Sequence, residues 1–260
     1  MKTTDFGAPA GDGGCAAPDL VMGGRMVALV LGLCAAALLV LGLYPELDLR
    51  LAGGGFRPAP DGFTYLRLDP AVSLARKVSN YLPGLAFALL CLLALIRRFS
   101  SRLRAAFEAR DIAFALLVFA LGPGLAVNFV LKSLSGRPRP VHITDYLGSA
   151  VFRPFWDFSG SCITNCSFSS GEAAAATAMI AFLPLVGARW RVLAAVLVAA
   201  FIPIVSFLRI YIGAHFPSDV IFSIAVTLLV IWGLRAALYT RAPRWADARA
   251  FERWFNWPLA

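Results

Sequence analysis

The stretch from Leu208 to Asp219 carries three side chains whose types and spacing suit phosphate chemistry. Arg209 offers a planar, permanently charged donor for phosphate oxygens. His215 follows six residues later and is a candidate nucleophile or base, and Asp219, four residues further on, is placed to hold the other imidazole nitrogen. Taken alone, an arginine and a histidine beside an apolar run suit an interface anchor or a capped helix end equally well.

A second polar block, residues 132–140, follows an earlier apolar run. It contains three cations, Lys132, Arg137 and Arg139, which together could bind a phosphate. The alternative is that these side chains extend to lipid headgroups.

A third polar block, residues 165–172, precedes an alanine-rich segment. Ser170 and Gly171 stand at a predicted helix start, where hydroxyl and free backbone N–H groups can bind an anion. Glu172 lies in the first turn and is a candidate proton donor. Its alternative role is to cap the helix and complement the helix dipole.

Composition indicates which kind of scaffold positions these blocks. The chain has 260 residues, of which 59% are hydrophobic and only 15% charged, as expected of a protein with several membrane spans. The net charge is +9. The arginines cluster in short segments between apolar runs, which is the positive-inside pattern rather than a nucleic-acid-binding face, so no nucleic-acid partner is expected.

We predict an all-α, polytopic bundle of six transmembrane helices. The predicted spans are residues 26–44, 80–96, 112–131, 171–186, 192–208 and 217–234. Arginines follow the second and sixth spans, so both termini are predicted to be cytoplasmic. The three polar blocks then meet at the opposite, outer surface.

The same pattern predicts three regions. Residues 1–25, rich in Gly, Ala, Pro and Asp, are expected to be a disordered cytoplasmic N-terminus. Residues 26–236 form the membrane domain. Residues 237–260 form a cytoplasmic tail in which aromatic residues alternate with arginines, as in an amphipathic helix lying among lipid headgroups. A loosely attached tail is the alternative.

Together the blocks supply several phosphate donors, a His–Asp pair and one carboxylic acid. This set suits metal-free phosphoryl transfer through a covalent intermediate. No cluster of acidic metal ligands accompanies it, so no metal and no other cofactor is expected.

The three blocks resemble the tripartite signature of the type-2 phosphatidic acid phosphatase (PAP2) superfamily. The first motif, Lys, six residues, then Arg-Pro, and the third, Ser-Arg, five residues, His, three residues, Asp, both occur here, with Leu208 in place of the serine. The second motif, Pro-Ser-Gly-His, reads Ser-Ser-Gly-Glu. The residues that match the first and third motifs are Lys132, Arg139, Pro140, Arg209, His215 and Asp219.

The resemblance implies a role for each matching residue. His215 would attack phosphorus and Asp219 would orient it. Glu172 replaces the family's leaving-group acid, a histidine. A glutamic acid can serve if its surroundings favour the protonated form, whereas nearby cations oppose this. The implied phosphate ligands are Lys132, Arg139, Ser170, Gly171 and Arg209.

The sequence around Cys162 and Cys166 resembles that of lipid A phosphatases of Gram-negative inner membranes, especially the 4′-phosphatase-like branch. Two cysteines in an outer loop favour a disulfide in an oxidising periplasm, with two free thiols as the alternative. The expected substrate is a membrane lipid at the periplasmic face, and no obligatory protein partner is evident. Undecaprenyl diphosphate, phosphatidic acid and phosphatidylglycerol phosphate stay open as substrates. A phospholipid-binding protein that does not turn over is the non-enzymatic alternative.

Overall fold

The computed structural model describes residues 23–58, 62–240 and 248–255, and helices dominate these ranges. In chain order the helices are α1 (Gly24–Leu43), α2 (Pro45–Ala52), α3 (Thr64–Leu68), α4 (Pro70–Arg97), α5 (Ser101–Ala106), α6 (Ala109–Leu134), α7 (Gly171–Leu185), α8 (Ala188–Tyr211), α9 (Pro217–Thr240) and α10 (Ala248–Phe255). Short 3₁₀ turns lie at Gly53–Gly55, Pro140–His142 and Thr144–Tyr146.

Five of these helices, α1, α4, α6, α8 and α9, are long and apolar enough to cross a membrane. The predicted all-α membrane fold is therefore confirmed, but the count of six spans is not. The fourth predicted span corresponds to α7, whose first part is α-helical and whose second part, Met179–Leu185, is a 3₁₀ helix. At 1.5 and 2.0 Å rise per residue, α7 is about 26 Å long, slightly less than the ~30 Å hydrocarbon layer.

Helix α6 changes its winding halfway along. The second half of α6, Ala120–Leu131, is a π-helix that contains Pro123. Proline has no N–H to donate to the preceding turn, which explains why the regular hydrogen-bond pattern fails here. Gly122 faces Thr227 of α9, and a Cβ at Gly122 would lie only 3.3 Å from the Thr227 methyl carbon. The glycine therefore lets these two helices approach closely.

Helix α9 lies at the centre of the bundle, where it packs against α1, α6 and α7. Phe114 and Val118 of α6 and Ile231 of α9 are buried in the main hydrophobic cluster. The outer face of α1, by contrast, exposes leucines such as Leu29 and Leu33. In a membrane protein this apolar face contacts lipid.

The connection between α1 and α4 is folded rather than extended. Helix α2 begins directly after α1, and α3 lies just before α4. Phe63 and Leu66 are buried and pack with Ile212 and Ala214, the residues that follow α8. The α2–α3 connection therefore lies directly against the loop that carries His215.

The C-terminal helix α10 packs against α6. The Glu252 carboxylate forms an ion pair with the buried Arg97 of α4 and accepts a hydrogen bond from the Ala109 backbone N–H. Phe251 and Phe255 join the main hydrophobic cluster. Placement of the tail among lipid headgroups stays a prediction, and residues 241–247 and 256–260 lie outside the described residues, as do residues 1–22 of the predicted disordered N-terminus.

Candidate active site

The three polar blocks meet at one end of the bundle, the end opposite Arg97. Arg209 lies in the last turn of α8, and the chain then turns at Gly213, whose φ of +67° is a left-handed conformation that glycine adopts readily. Helix α9 begins with Pro217 in its first turn, and the Asp219 carboxylate accepts the Phe216 backbone N–H at 2.9 Å. These two helix ends hold His215 between them.

His215 is fully buried, and its two ring nitrogens have different environments. Nδ1 lies 2.6 Å from the backbone carbonyl oxygen of Ser167. Because a carbonyl only accepts hydrogen bonds, Nδ1 must carry a proton, and in the neutral imidazole the lone pair then lies on Nε2. Nε2 has no hydrogen-bond partner in the described part of the chain and lies 3.7 Å from the Glu172 carboxylate. A nucleophile needs this arrangement of a fixed ring and a free nitrogen.

Asp219 acts on His215 less directly than we predicted from the sequence. Its Oδ2 atom is 3.7 Å from the imidazole Nδ1, whereas it accepts the Ser167 hydroxyl at 2.5 Å. Ser167 thus donates its hydroxyl to Asp219 and accepts the imidazole N–H with its carbonyl. Asp219 therefore positions the histidine mainly through Ser167.

Arg137 provides a buried anchor for this arrangement. Its guanidinium is fully buried and donates to Asp219 at 2.5 Å, to Asp48 of α2 at 2.7 Å and to the Ser218 hydroxyl at 2.8 Å. The Phe216 ring lies 4.0 Å beneath it. Two carboxylates around one guanidinium leave no buried charge without a partner in this cluster.

Sequence reasoning missed several members of this network. Asp48 lay in a connection with charges of both signs, and Ser167 contributes a backbone oxygen that has no sequence signal. Arg137 was seen as one of three cations, but only Arg139 matches the family motif. The one available sign was its position directly before Pro138 in a block rich in cations.

The Glu172 carboxylate lies between Arg209 and His215. Its Oε1 atom forms an ion pair with Arg209 at 2.9 Å, and its Oε2 atom faces His215 Nε2. Lys132 also interacts with this carboxylate electrostatically. The carboxylate thus lies in the region that a phosphate must enter to reach both Arg209 and Nε2.

The other predicted phosphate ligands surround the same region with different roles. Arg139 donates to the backbone oxygen and side-chain oxygen of Asn165, at 3.0 and 2.6 Å. Ser170 caps α7, because its hydroxyl accepts the Ala173 N–H. A Cβ on Gly171 would lie 2.5 Å from the Asn128 side-chain oxygen, so α7 can approach α6 only with glycine here.

Hydrogen bonds join the polar block at residues 132–140 to the segment that contains the block at residues 165–172. The Ser167 N–H donates to the Arg137 carbonyl at 2.8 Å, and the Cys162 N–H donates to the Gly136 carbonyl at 2.9 Å. Cys162 and Cys166 form a disulfide in the structure, with their Cα atoms 5.6 Å apart. The segment that presents the Ser167 carbonyl is therefore fixed at both ends.

A groove of about 390 Å³ leads from this site along the bundle. It runs between α4, α6 and α7. Lys132, Glu172 and Asn128 line its polar end, while Phe87 and Phe119 line the apolar end. The other lining residues are Ser79, Asn80, Pro83, Gly84, Pro123, Gly124, Gly171 and Ala175.

The part of the chain that contains the three polar blocks is similar in sequence to known proteins. A family model described as the PAP2 superfamily matches residues 112–243, a range that contains all three polar blocks. The chain belongs to the PAP2 superfamily. The family resemblance expected from the motifs is thus confirmed.

Three relatives of this PAP2 protein illustrate the range of similarity. A Lipid A 4'-phosphatase of Francisella tularensis subsp. novicida is 30% identical over 216 residues, which cover 82% of this chain and 96% of that protein. A Lipid A 4'-phosphatase of Rhizobium leguminosarum is 39% identical over 130 residues, 50% of this chain and 55% of the relative. A Lipid A 1-phosphatase of Rhizobium etli is 39% identical over 156 residues, 56% of each chain. This chain spans about half the length of the two Rhizobium relatives, and no solved structure was found to match it.

Proposed function

We propose that this protein is an integral membrane phosphatase that removes a phosphate monoester from lipid A or a lipid A precursor. The observation that carries the proposal is the environment of His215, whose Nε2 atom has no hydrogen-bond partner among the described residues and faces the Glu172 carboxylate that pairs with Arg209. Membership of the PAP2 superfamily and the names of the three relatives support the reaction and the lipid class.

The first chemical step forms a phosphohistidine. Lys132, Arg139 and Arg209 hold the phosphate oxygens and stabilise the charge that develops on them. Nε2 of His215 attacks phosphorus, and the bond from phosphorus to the sugar oxygen breaks. The sugar oxygen leaves as a hydroxyl after it takes a proton from Glu172.

The second step releases inorganic phosphate. Glu172, now a carboxylate, takes a proton from a water molecule, and the water oxygen attacks phosphorus. The bond from phosphorus to Nε2 breaks, which restores the imidazole. The cycle needs Glu172 protonated at the start, and a bound phosphate dianion favours that form because it offsets the charges of Lys132 and Arg209.

The shape of the site supports a lipid substrate at the periplasmic surface. The apolar groove between α4, α6 and α7 can accept hydrocarbon chains while the headgroup reaches Lys132 and Glu172. The arginine-rich segment after α4, at the other end of the bundle, favours a cytoplasmic position for that end. The catalytic end then faces the periplasm of the inner membrane.

The direct test is phosphate release from purified lipid A by the detergent-solubilised protein, with and without EDTA. We expect activity that EDTA does not reduce, and a loss of at least ~10³-fold in His215→Ala, the scale seen when a nucleophile is removed. Acid-labile, base-stable phosphate on the wild-type protein would identify the intermediate. Activity that survives in His215→Ala would disprove the nucleophile assignment, and a panel with undecaprenyl diphosphate, phosphatidic acid and phosphatidylglycerol phosphate separates the lipid classes.

One observation favours a second candidate, a phosphate-binding membrane protein without turnover. Glu172 stands where the family motif has histidine, and its ion pair with Arg209 favours the ionised carboxylate, which cannot donate a proton. This candidate predicts lipid A binding without phosphate release and without a trapped phosphohistidine. A Glu172→His variant that gains activity would support it.

A further inference from the structure

A second group of cations lies beside the proposed phosphate site, on an element outside the family motifs. Helix α3 is held against the active-site loop by Phe63 and Leu66, which pack with Ile212 and Ala214. The Tyr65 hydroxyl donates to the Gly55 carbonyl at 3.0 Å and fixes the other side of α3. Arg67, in the last turn of this helix, is thereby held close to Arg209.

Arg67 lies in a strongly positive environment. Burial lowers the pKa of its guanidinium, and the nearby charges of Arg76 and Arg209 lower it further. Burial also lowers the pKa of Arg139 and of His142, with Arg67 contributing to both, although Glu172 opposes the effect on Arg139. The Nε atom of Arg67 is buried and has no hydrogen-bond partner among the described residues.

The acids that the structure describes near this group bind other partners. Within residues 23–58, 62–240 and 248–255, neither Arg67 nor Arg76 forms an ion pair, and Glu172 pairs with Arg209. Asp69, between the two arginines in sequence, caps α4 by accepting the Ala71 and Val72 N–H groups. A phosphate monoester carries at most two negative charges, so one phosphate held by Lys132, Arg139 and Arg209 leaves Arg67 and Arg76 without a counter-charge from the part of the chain that the structure describes.

The position of Arg76 connects this group to the lipid groove. Ser79 and Asn80, three and four residues after Arg76 and therefore on the same side of α4, line the groove that continues to Lys132 and Glu172. One lipid headgroup at the groove mouth can therefore reach both sets of cations. The relatives' names, Lipid A 4'-phosphatase and Lipid A 1-phosphatase, indicate a headgroup with phosphates at two positions.

We propose that Arg67 and Arg76 form a second anion subsite, which binds the phosphate that is not being removed from a doubly phosphorylated lipid headgroup. The proposal rests on the proposed function. It makes the protein selective for lipids with two phosphates, because a lipid with one phosphate leaves this subsite unfilled. The same chemistry would also accept the phosphate of a neighbouring phospholipid, so the test separates these two sources.

The test measures kcat and KM for lipid A with two phosphates and with one, in neutral detergent micelles that contain no other anionic lipid. We expect the wild type to favour the doubly phosphorylated lipid by about tenfold in kcat/KM, the scale of one or two charge-assisted hydrogen bonds. Arg67→Gln and Arg76→Gln should remove most of this preference by raising KM for that lipid. Arg67→Lys should retain part of it.

The matched control is Lys77→Gln. Lys77 is exposed, neighbours Arg76 on α4, and points about 100° away from it around the helix, so the variant should keep the wild-type preference. Melting temperatures of all variants exclude folding defects. A preference that is absent in the wild type, or unchanged in both arginine variants, would overturn the subsite.

Two further arms complete the design. Adding phosphatidylglycerol to the micelles should leave the preference intact if both phosphates belong to one molecule. If phosphatidylglycerol instead removes the preference by stimulating the singly phosphorylated lipid, the subsite binds a neighbouring lipid and the proposal is wrong. Binding of both lipids to His215→Ala gives the same comparison without turnover. If the wild type releases no phosphate, the proposed function fails. The binding preference of His215→Ala then still tests the subsite.

Discussion

The buried pair of Asp48 and Arg137 gives the sharpest quantitative prediction. Asp48 is only 1% exposed and accepts hydrogen bonds from Arg137 at 2.7 Å, from the Ser218 N–H at 2.9 Å and from the Ser218 hydroxyl at 2.5 Å. Asp48→Asn keeps the shape of the side chain and removes its charge. Breaking a buried ion pair typically costs 3–5 kcal/mol of unfolding free energy, and we expect about 3 kcal/mol because Asp219 still faces Arg137.

The assay is thermal unfolding of the purified protein in detergent. For a chain of this size, about 3 kcal/mol lowers the melting temperature by roughly 6–12 °C. The control is Asp157→Asn, which removes a solvent-exposed ion pair with Arg153 and should shift the melting temperature far less. Equal shifts in the two variants would refute the reasoning, because they would show that the charge of Asp48 does not balance that of Arg137.

Three other changes test separate parts of the site. Glu172→Gln should lower kcat by about 10²–10⁴-fold and change the pH–rate profile if Glu172 is the general acid; an unaltered profile would leave it as a helix cap. Gly171→Ala should destabilise the protein by about 1–3 kcal/mol, since the new methyl group meets the Asn128 side chain, and Asn128→Ala should restore part of the loss, as measured by melting temperature. Cys162→Ser opens the five-residue loop to Cys166 and should cost roughly 2 kcal/mol; a melting temperature equal to that of wild type would contradict this.

The membrane helices and the meeting of the three polar blocks followed from the sequence because both depend on local pattern. Apolar runs predicted the long helices to within a few residues at most ends. The start of α4 was ten residues off, since Pro70 and the polar residues after it extend the helix beyond the apolar stretch. The fourth span was predicted as one continuous α-helix, but its second part, Met179–Leu185, is a 3₁₀ helix. Hydropathy does not distinguish the two kinds of helix.

The support of the site could not be predicted in the same way. The bond from the Ser167 carbonyl to His215 depends on the backbone path of a loop, and the Asp48–Arg137 pair joins residues 89 positions apart. Neither contact leaves a periodic or spaced signal in one sequence. The expected direct contact between Asp219 and His215 was the simplest geometry for residues four apart, but Arg137 and Ser167 bind the carboxylate instead.

Asp48 supports the site although it lies before the range that the family model matches. The family model starts at residue 112, yet Arg137, which binds the start of α9, pairs with the Asp48 carboxylate of α2, more than sixty residues before that start. A chain restricted to the matched range would lose one of the two buried carboxylates that pair with this guanidinium and keep Asp219. Chimeras between relatives should therefore exchange α2 together with the half of the chain that carries the three motifs.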